Sequence, residues 1–240
     1  MTSDERATIL IKAKQWFKES IGEAHLINTE KLTDPKEFNI NPFTFIYLAN
    51  YLTGNSDKKS IARALIYPRV LGTSITTSFG NGIQKFTSSV LDGFASTTAG
   101  IDIEFVDQVD GRRKYCQLKA GPNTINKDDV ESIAGHFQSV KDLARTNNLN
   151  LQYGDLVVGV VYGKSTQLNG HYNRISKDYD APVFVGQEFW RRLTGDDDFY
   201  VDIIQSVGEV ATEADYSHRL EEIIEELASN IDISQITNDD

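Results

Sequence analysis

Two short segments in which apolar and polar residues alternate, residues 101–105 and 115–119, flank the dipeptide Asp110-Gly111. Alternation with period two is typical of β-strands that are buried on one face. The Asp-Gly pair is a strong signal for a two-residue hairpin turn, because both central positions of a type I′ turn need positive φ. The sequence therefore predicts an antiparallel hairpin.

The predicted turn also determines which side chains of the hairpin share a face. With a two-residue turn, Asp102 lies opposite Lys119, and Glu104 lies opposite Gln117. Paired residues point to the same side of a sheet, so these four polar groups gather on one face. A bulge would shift this pairing. The other face carries the apolar residues that pack into the core, namely Ile103, Phe105, Cys116 and Leu118.

Helical signals dominate residues 1–70. Apolar residues recur at near-helical spacing over residues 4–21. The next predicted helix has Asn41 as its N-cap, Pro42 at its first position and Gly54 as its C-cap. A further helix begins at a capping Ser56 and stops or bends at Pro68.

The segments that follow alternate between helix and strand. Residues 77–90 are predicted as a glycine-containing loop followed by a helix. The hairpin comes next, then a helix over residues 126–146, a strand buried on both faces over 155–163, a short strand over 181–186, and helices from 187 to about 227. This order predicts an α/β fold, with a mixed central β-sheet flanked by helices and a helical N-terminal region.

The length suits a single domain over residues 1–240. Within it we expect a mainly helical region at residues 1–70, an α/β core at 95–195, and C-terminal helices with an acidic tail at 196–240. No apolar run is long enough to cross a membrane, no secretory signal opens the chain, and the lone cysteine, Cys116, forms no intramolecular disulfide. We therefore expect a cytoplasmic protein.

The formal net charge is −11, which argues against binding of nucleic acid through the overall field of the protein. The acidic residues, however, are concentrated near the C-terminus. Basic residues recur in "GRRKY", "YGKSTQLNGHYNRISK" and "FWRRL". A local basic surface is therefore compatible with the acidic total.

The polar face of the hairpin suits phosphodiester hydrolysis. Asp102 would bind a hard divalent cation, for which Mg²⁺ is the best candidate, and Gln117 and the backbone carbonyl of Leu118 would add neutral oxygen ligands. Lys119 would position the nucleophile or offset the charge that develops on the phosphate. The alternative is an exposed hairpin face with an ordinary cross-strand ion pair, worth at most about 1 kcal/mol.

The residues Asp102 and Gln117-Leu118-Lys119 resemble the PD-(D/E)xK nuclease motif. Between residues 41 and 193, the blocks "NPFTFIYLA", "IYPRVLG", "GIDIEF", "QLKAGPNTI", "VVGVVYGKSTQL", "YNRI" and "VGQEFWRRL" are similar to a family of type II restriction endonucleases that cut interrupted palindromes of the GGNCC kind. This resemblance implies a prokaryotic, Mg²⁺-dependent homodimer with a restriction-endonuclease-like core. It would cleave both strands of duplex DNA without an organic cofactor.

The sequence departs from the superfamily pattern at two positions. Ile101 stands where Pro is usual, and Gln117 stands where Glu is usual, which removes one negative charge from the metal site. Two carboxylates are candidates to compensate. Glu104 shares the predicted face of the hairpin, and Glu131 lies on the helix that follows it.

Two polar segments are candidates for DNA contact. The first, residues 119–129, ends a strand and begins a helix whose N–H groups are available to a phosphate. The second, residues 162–177, carries Arg, Asn and Gln, the side chains that make bidentate contacts with base edges. Either segment can also be read as an ordinary polar surface loop. The candidate DNA-binding residues are Asn123, Thr124, Asn126, Lys127, Lys164, Ser165, Gln167, Asn169, His171 and Arg174.

Two other functions remain open from the sequence. One is a less specific nuclease of the same superfamily that acts in repair or junction resolution. The other is a DNA-binding protein with a degenerate nuclease fold, since Gln117 removes an expected carboxylate.

Overall fold

A computed structural model describes residues 1–148 and 150–232, apart from the side chains at positions 73 and 74. The chain divides into two compact units. The first comprises residues 1–16 and 79–207, and the second comprises residues 17–78 and 208–240. A single nuclease domain over the whole chain stays a prediction. Residues 233–240 of the predicted acidic tail lie outside the described part of the chain.

The helices and strands follow the predicted order, except that an unpredicted helix, α8 (Gly170–Asp178), lies between the last two strands. The α-helices are α1 (Ser3–Phe17), α2 (Glu23–Glu30), α3 (Pro42–Thr53), α4 (Lys58–Val70), α5 (Thr73–Asn81), α6 (Ile83–Val90), α7 (Lys127–Thr146), α8 (Gly170–Asp178), α9 (Gln187–Thr194), α10 (Phe199–Glu213) and α11 (Tyr216–Asn230). The strands are β1 (Ile103–Val106), β2 (Arg113–Lys119), β3 (Leu156–Val160) and β4 (Val183–Val185). Within the described residues, no helix is long and apolar enough to cross a membrane.

The first unit contains a mixed four-stranded sheet in the order β1-β2-β3-β4. β1 and β2 are antiparallel, whereas β2, β3 and β4 run parallel. β3 is buried along its whole length, as its apolar run predicts. Helix α7 connects β2 to β3 and packs its apolar stripe into the core. That core includes Val130, Ile133, Phe137, Val158, Val160, Tyr172 and Ile175. The predicted α/β fold with a mixed sheet is confirmed.

The second unit is helical. Helix α3 begins at Asn41, whose Oδ1 accepts a hydrogen bond of 3.1 Å from the Phe43 amide, and it ends at Gly54 with φ of 79°. Both predicted caps are therefore correct.

The predicted cap of α4 is wrong by one residue. Asp57, not Ser56, accepts from the Ser60 amide at 2.8 Å, because a carboxylate three positions before that N–H reaches it directly. The core of this unit includes Leu32, Ala49, Ile61, Leu65, Ile224 and Leu227.

The predicted register of the hairpin is wrong by two residues. Ile103 pairs with Cys116 and Glu104 pairs with Tyr115, so Glu104 does not lie opposite Gln117. A shift of two residues keeps every side chain on its predicted face, because side chains alternate with period two. Ile103, Phe105 and Cys116 are buried as expected.

A longer turn causes this shift. The Asp107 amide donates to the Arg112 carbonyl at 2.9 Å, so four residues form the loop, and of the Asp110-Gly111 pair only Gly111 has positive φ. The Asp107 side chain is fully buried. It accepts from the Val109 amide at 2.8 Å and from Arg192 at 2.7 Å. These contacts hold Asp107 at the end of the hairpin and exclude the two-residue turn.

Two segments predicted as loops are largely helical. Residues 162–177 form a short 3₁₀ turn (Ser165–Gln167) followed by α8, which begins at the N-cap Asn169. The glycine-containing stretch before α6 belongs mainly to α5, with Gly82 between the two helices. The sequence signals for loops were polar and small residues, which also begin and cap helices.

An ion-pair network joins the hairpin to the start of β3. Asp155 accepts from Arg112 Nε at 2.8 Å, and its carboxylate lies 3.6 Å from the ammonium group of the buried Lys114, which also pairs with Asp110 at 2.6 Å. Burial alone would raise the pKa of Asp155, but the hydrogen bond and charge of Arg112 lower the pKa below its usual value.

We expect Asp155→Ala to lower the free energy of unfolding by about 3 kcal/mol, because Lys114 stays buried without one of its two carboxylate partners. The matched control Asp142→Ala removes an exposed partner of Arg145. This variant should change the free energy of unfolding by less than about 0.5 kcal/mol. Because the folded-state pKa of Asp155 is lowered, its contribution is fully present above its unfolded pKa and is lost as the pH falls through the lowered folded-state pKa. Urea denaturation at neutral and acidic pH measures both effects, and equal stability of the two variants would contradict the prediction.

Candidate active site

Asp102 immediately precedes β1, at the point where backbone pairing between β1 and β2 ends. Its amide donates to the Cys116 carbonyl at 3.1 Å, and its Oδ2 accepts from the Leu118 amide at 2.7 Å. The side chain is half-buried. Burial raises the pKa of Asp102, and this effect outweighs the opposing influence of the Leu118 hydrogen bond and the Lys119 charge. The site therefore holds a carboxylate that favours a nearby cation.

Gln117 lies on β2 and is buried. Its side-chain Nε2 donates to the carbonyl oxygen of Gly100 and lies 2.5 Å from Nδ1 of His136, a residue of α7. Among the described residues, none donates a hydrogen bond to Gln117 Oε1. The amide is thus held by its nitrogen, and its oxygen is left as the atom available to a ligand.

Lys119 ends β2 and lies on the same face as Gln117. Its ammonium group lies 3.2 Å from Oδ1 of Asp129, in the first turn of α7. Asp129 Oδ2 also accepts from the Asn126 amide at 2.9 Å, which completes a capping box at the start of the helix. Burial would raise the pKa of Asp129, but the Asn126 hydrogen bond and Lys119 lower it below its usual value. Asp129 therefore holds the lysine beside Asp102 and Gln117.

Glu104 and Glu131, the two carboxylates predicted as candidates to compensate for Gln117, have other partners in the structure. Glu104 accepts from Ser96 Oγ at 2.6 Å and from Thr98 Oγ1 at 2.9 Å, and it pairs with Arg113 at 3.1 Å. Glu131 is exposed and pairs loosely with Lys127 at 3.8 Å. No cluster of three or more His, Cys, Asp or Glu side chains suited to a metal occurs within the described residues. A role for either glutamate at the metal stays a prediction.

The two segments predicted to contact DNA lie side by side beyond the C-terminal ends of β2 and β3. Asn169 Nδ2 donates to the Ile125 carbonyl at 3.0 Å, and the Asn169 amide donates to the Pro122 carbonyl at 3.1 Å. The buried Tyr172 hydroxyl donates to the Gly121 carbonyl at 2.8 Å. The fold therefore brings both segments next to Lys119.

Several of the predicted DNA-binding side chains have structural partners. Asn126 and Asn169 cap α7 and α8, and Thr124 donates to the Gly121 carbonyl. Gln167 accepts from the Lys164 amide, and Arg174 pairs with Asp178. His171 is half-buried near the start of α8. The exposed side chains in these segments include Asn123, Lys127, Lys164 and Ser165. DNA contact by all ten residues stays a prediction.

A comparison with models of protein families identifies the family of the chain. The family model described as type II restriction endonuclease EcoO109I matches residues 18–215. The chain belongs to this family. As a type II restriction endonuclease it is a site-specific DNA nuclease, and the predicted family is confirmed. The match extends on both sides of the blocks between residues 41 and 193. A comparison with curated proteins gives no match.

Two residues that contact this candidate site, Asp129 and His136, were missed from the sequence. Asp129 could have been found, because Asn126 and Asp129 have the spacing of a capping box and the first turn of α7 follows Lys119 closely. His136 carries no such signal. A histidine ten residues into a helix contacts Gln117 only because α7 packs back across the sheet.

We expect Asp102→Asn to raise the melting temperature of the restriction endonuclease in EDTA at pH 7. Folding raises the pKa of this carboxyl, so its ionised form destabilises the folded state, and asparagine removes that cost while still accepting from Leu118. The gain should shrink as the pH falls through the raised pKa, where the aspartic acid is protonated. Differential scanning calorimetry checks this, with Asp142→Asn as an exposed control. A lower melting temperature at pH 7 would contradict it.

Proposed function

We propose that the chain cleaves both strands of duplex DNA at a palindromic or interrupted palindromic site of the GGNCC kind, in a Mg²⁺-dependent reaction at Asp102, Gln117 and Lys119. The observation that carries this proposal is the hydrogen bond from the Leu118 amide to the Asp102 carboxylate. It holds Asp102 beside the strand segment that carries Gln117 and Lys119. This arrangement supports the role that the nuclease motif implies for each residue.

The donor set fits a hard divalent cation. Asp102 supplies a partly desolvated carboxylate, and Gln117 Oε1 supplies a neutral oxygen. The pairing of β1 with β2 ends at Cys116, so the Leu118 carbonyl lies beyond that ladder and adds a third candidate ligand. When bound, Mg²⁺ supplies Lewis-acid polarisation of the scissile phosphate and activation of water.

Lys119 supplies positive charge beside this donor set. Its ammonium group is held by Asp129 at 3.2 Å in a half-buried position. A phosphodiester carries one negative charge, as the Asp129 carboxylate does, so a bound scissile phosphate can share the Lys119 ammonium group with Asp129. Lys119 then orients the nucleophile and stabilises the charge that develops on the phosphate.

We expect purified protein to cut unmethylated phage DNA into discrete fragments with Mg²⁺ and to leave it intact with EDTA. Lys119→Ala should slow cleavage by about 100-fold or more, because it removes a charge aimed at the reacting phosphate. Lys58→Ala, an exposed lysine in the helical unit, is the control and should cut normally.

The fragment pattern also separates the two rival functions. A repair or junction nuclease would give a smear or would cut only branched DNA. A degenerate binding protein would shift DNA in a gel and never cut it. Either result would contradict the proposed restriction activity.

We also propose that the enzyme acts as a homodimer, because a twofold dimer presents one active site to each strand of a palindrome. We propose that the exposed face of helix α3 forms the dimer interface. The helix has no charged residue, and Phe43, Tyr47 and Tyr51 lie along one face with exposures of 89, 65 and 74 %. In a twofold dimer the same stripe of a second copy covers this face, and α3 has no charge that would oppose the pairing.

We expect wild-type protein to sediment as a dimer and the double variant Phe43→Ser, Tyr47→Ser to sediment as a monomer. Loss of the dimer should convert double-strand cleavage into slow nicking. Tyr153→Ser, which removes an equally exposed aromatic ring in the first unit, is the matched control. Analytical ultracentrifugation measures the oligomeric state of each protein. A double variant that stays dimeric would exclude α3 as the interface.

A further inference from the structure

The Gln117 amide has an orientation that its neighbours determine. The Gly100 carbonyl can only accept a hydrogen bond, so the Gln117 atom that faces it must be the nitrogen. The same nitrogen lies 2.5 Å from His136 Nδ1, which must therefore accept as well. The ring hydrogen of neutral His136 is consequently on Nε2.

Gly100 is what allows this approach. It has φ of +79°, and a Cβ at this position would lie 2.6 Å from Cγ of His136. Any larger residue would both strain the backbone and push the imidazole away from Gln117. On α7, the neighbouring Ile133 and Phe137 are buried in the core, which anchors the helix segment that carries His136.

We propose that His136 is a positioning residue that locks the Gln117 amide through its nitrogen and so presents Oε1 as a metal ligand. This inference rests on the proposed function, because it gives Gln117 the ligand role stated there. It makes glutamine the residue that fits this site. A glutamate would place a carboxylate oxygen, which cannot donate, against the Gly100 carbonyl.

The test compares two substitutions that differ only in the acceptor. His136→Asn places Oδ1 near the position of Nδ1 and keeps the acceptor, whereas His136→Leu fills similar space without one. His136→Ala is a second variant without an acceptor, for use where the leucine variant does not fold. Circular dichroism establishes folding, and Mn²⁺ affinity is measured by calorimetry without DNA.

We expect His136→Leu and His136→Ala to weaken Mn²⁺ binding by about tenfold or more, the usual cost of removing a residue that orients a metal ligand. His136→Asn should stay near wild type, and cleavage should follow the same order. Wild-type Mn²⁺ affinity in the leucine and alanine variants, or an equal loss in all three variants, would overturn the role of His136.

This outcome is separable from the proposed function. If Lys119→Ala abolishes cutting while every His136 variant binds Mn²⁺ normally, the proposed active site stands and the positioning role fails. If the wild type binds Mn²⁺ in a His136-dependent way but no DNA is cut, the proposed function fails and the positioning role stands.

Discussion

The hydrogen bond between the Leu118 amide and the Asp102 carboxylate occupies the position where the β1–β2 ladder stops. A backbone N–H at a strand end needs a partner, and here a side chain replaces the next residue of the neighbouring strand. This use of a side chain in place of a backbone partner has a chemical consequence. It orients a carboxylate beside Gln117 and Lys119, and the remaining oxygen of Asp102 has no hydrogen bond from the described residues.

Helix α7 supports the same site from its other side. Its apolar stripe packs into the sheet core, and two polar residues on it, Asp129 and His136, reach Lys119 and Gln117. These two are seven residues apart, which is close to two helical turns, so they lie on one face of the helix. The core thus positions the chemistry, because the packing that buries Ile133 and Phe137 also places their polar neighbours.

Much of this arrangement follows from residue patterns. Period two identified the two strands of the hairpin, and their side chains were assigned to the correct faces despite the wrong register because the error was an even number of residues. The register itself depended on Asp107, whose contact with Arg192 involves a residue 85 positions away. Helix α8 was missed because Gly170 and its polar neighbours resemble a loop, although Asn169 is a good N-cap.

The contact of His136 with Gln117 could not be predicted from the sequence, for a different reason. Its contact with Gln117 depends on how a helix lies across a sheet, and no local spacing encodes that relation. The substitution of Gln for Glu suggested a weakened site from the sequence, and Glu104 and Glu131 were natural candidates to repair it. In the structure both glutamates have other partners, and the amide of Gln117 has two of its own.

The most direct test of the proposed site is a crystal structure of the chain with duplex DNA and Ca²⁺, a hard divalent cation that takes oxygen ligands. We expect an ion bound by Asp102 and by Oε1 of Gln117, with the Gln117 nitrogen still in contact with Gly100 and His136. An ion held by Glu104 or Glu131, or a Gln117 amide that turns its nitrogen toward the ion, would contradict it.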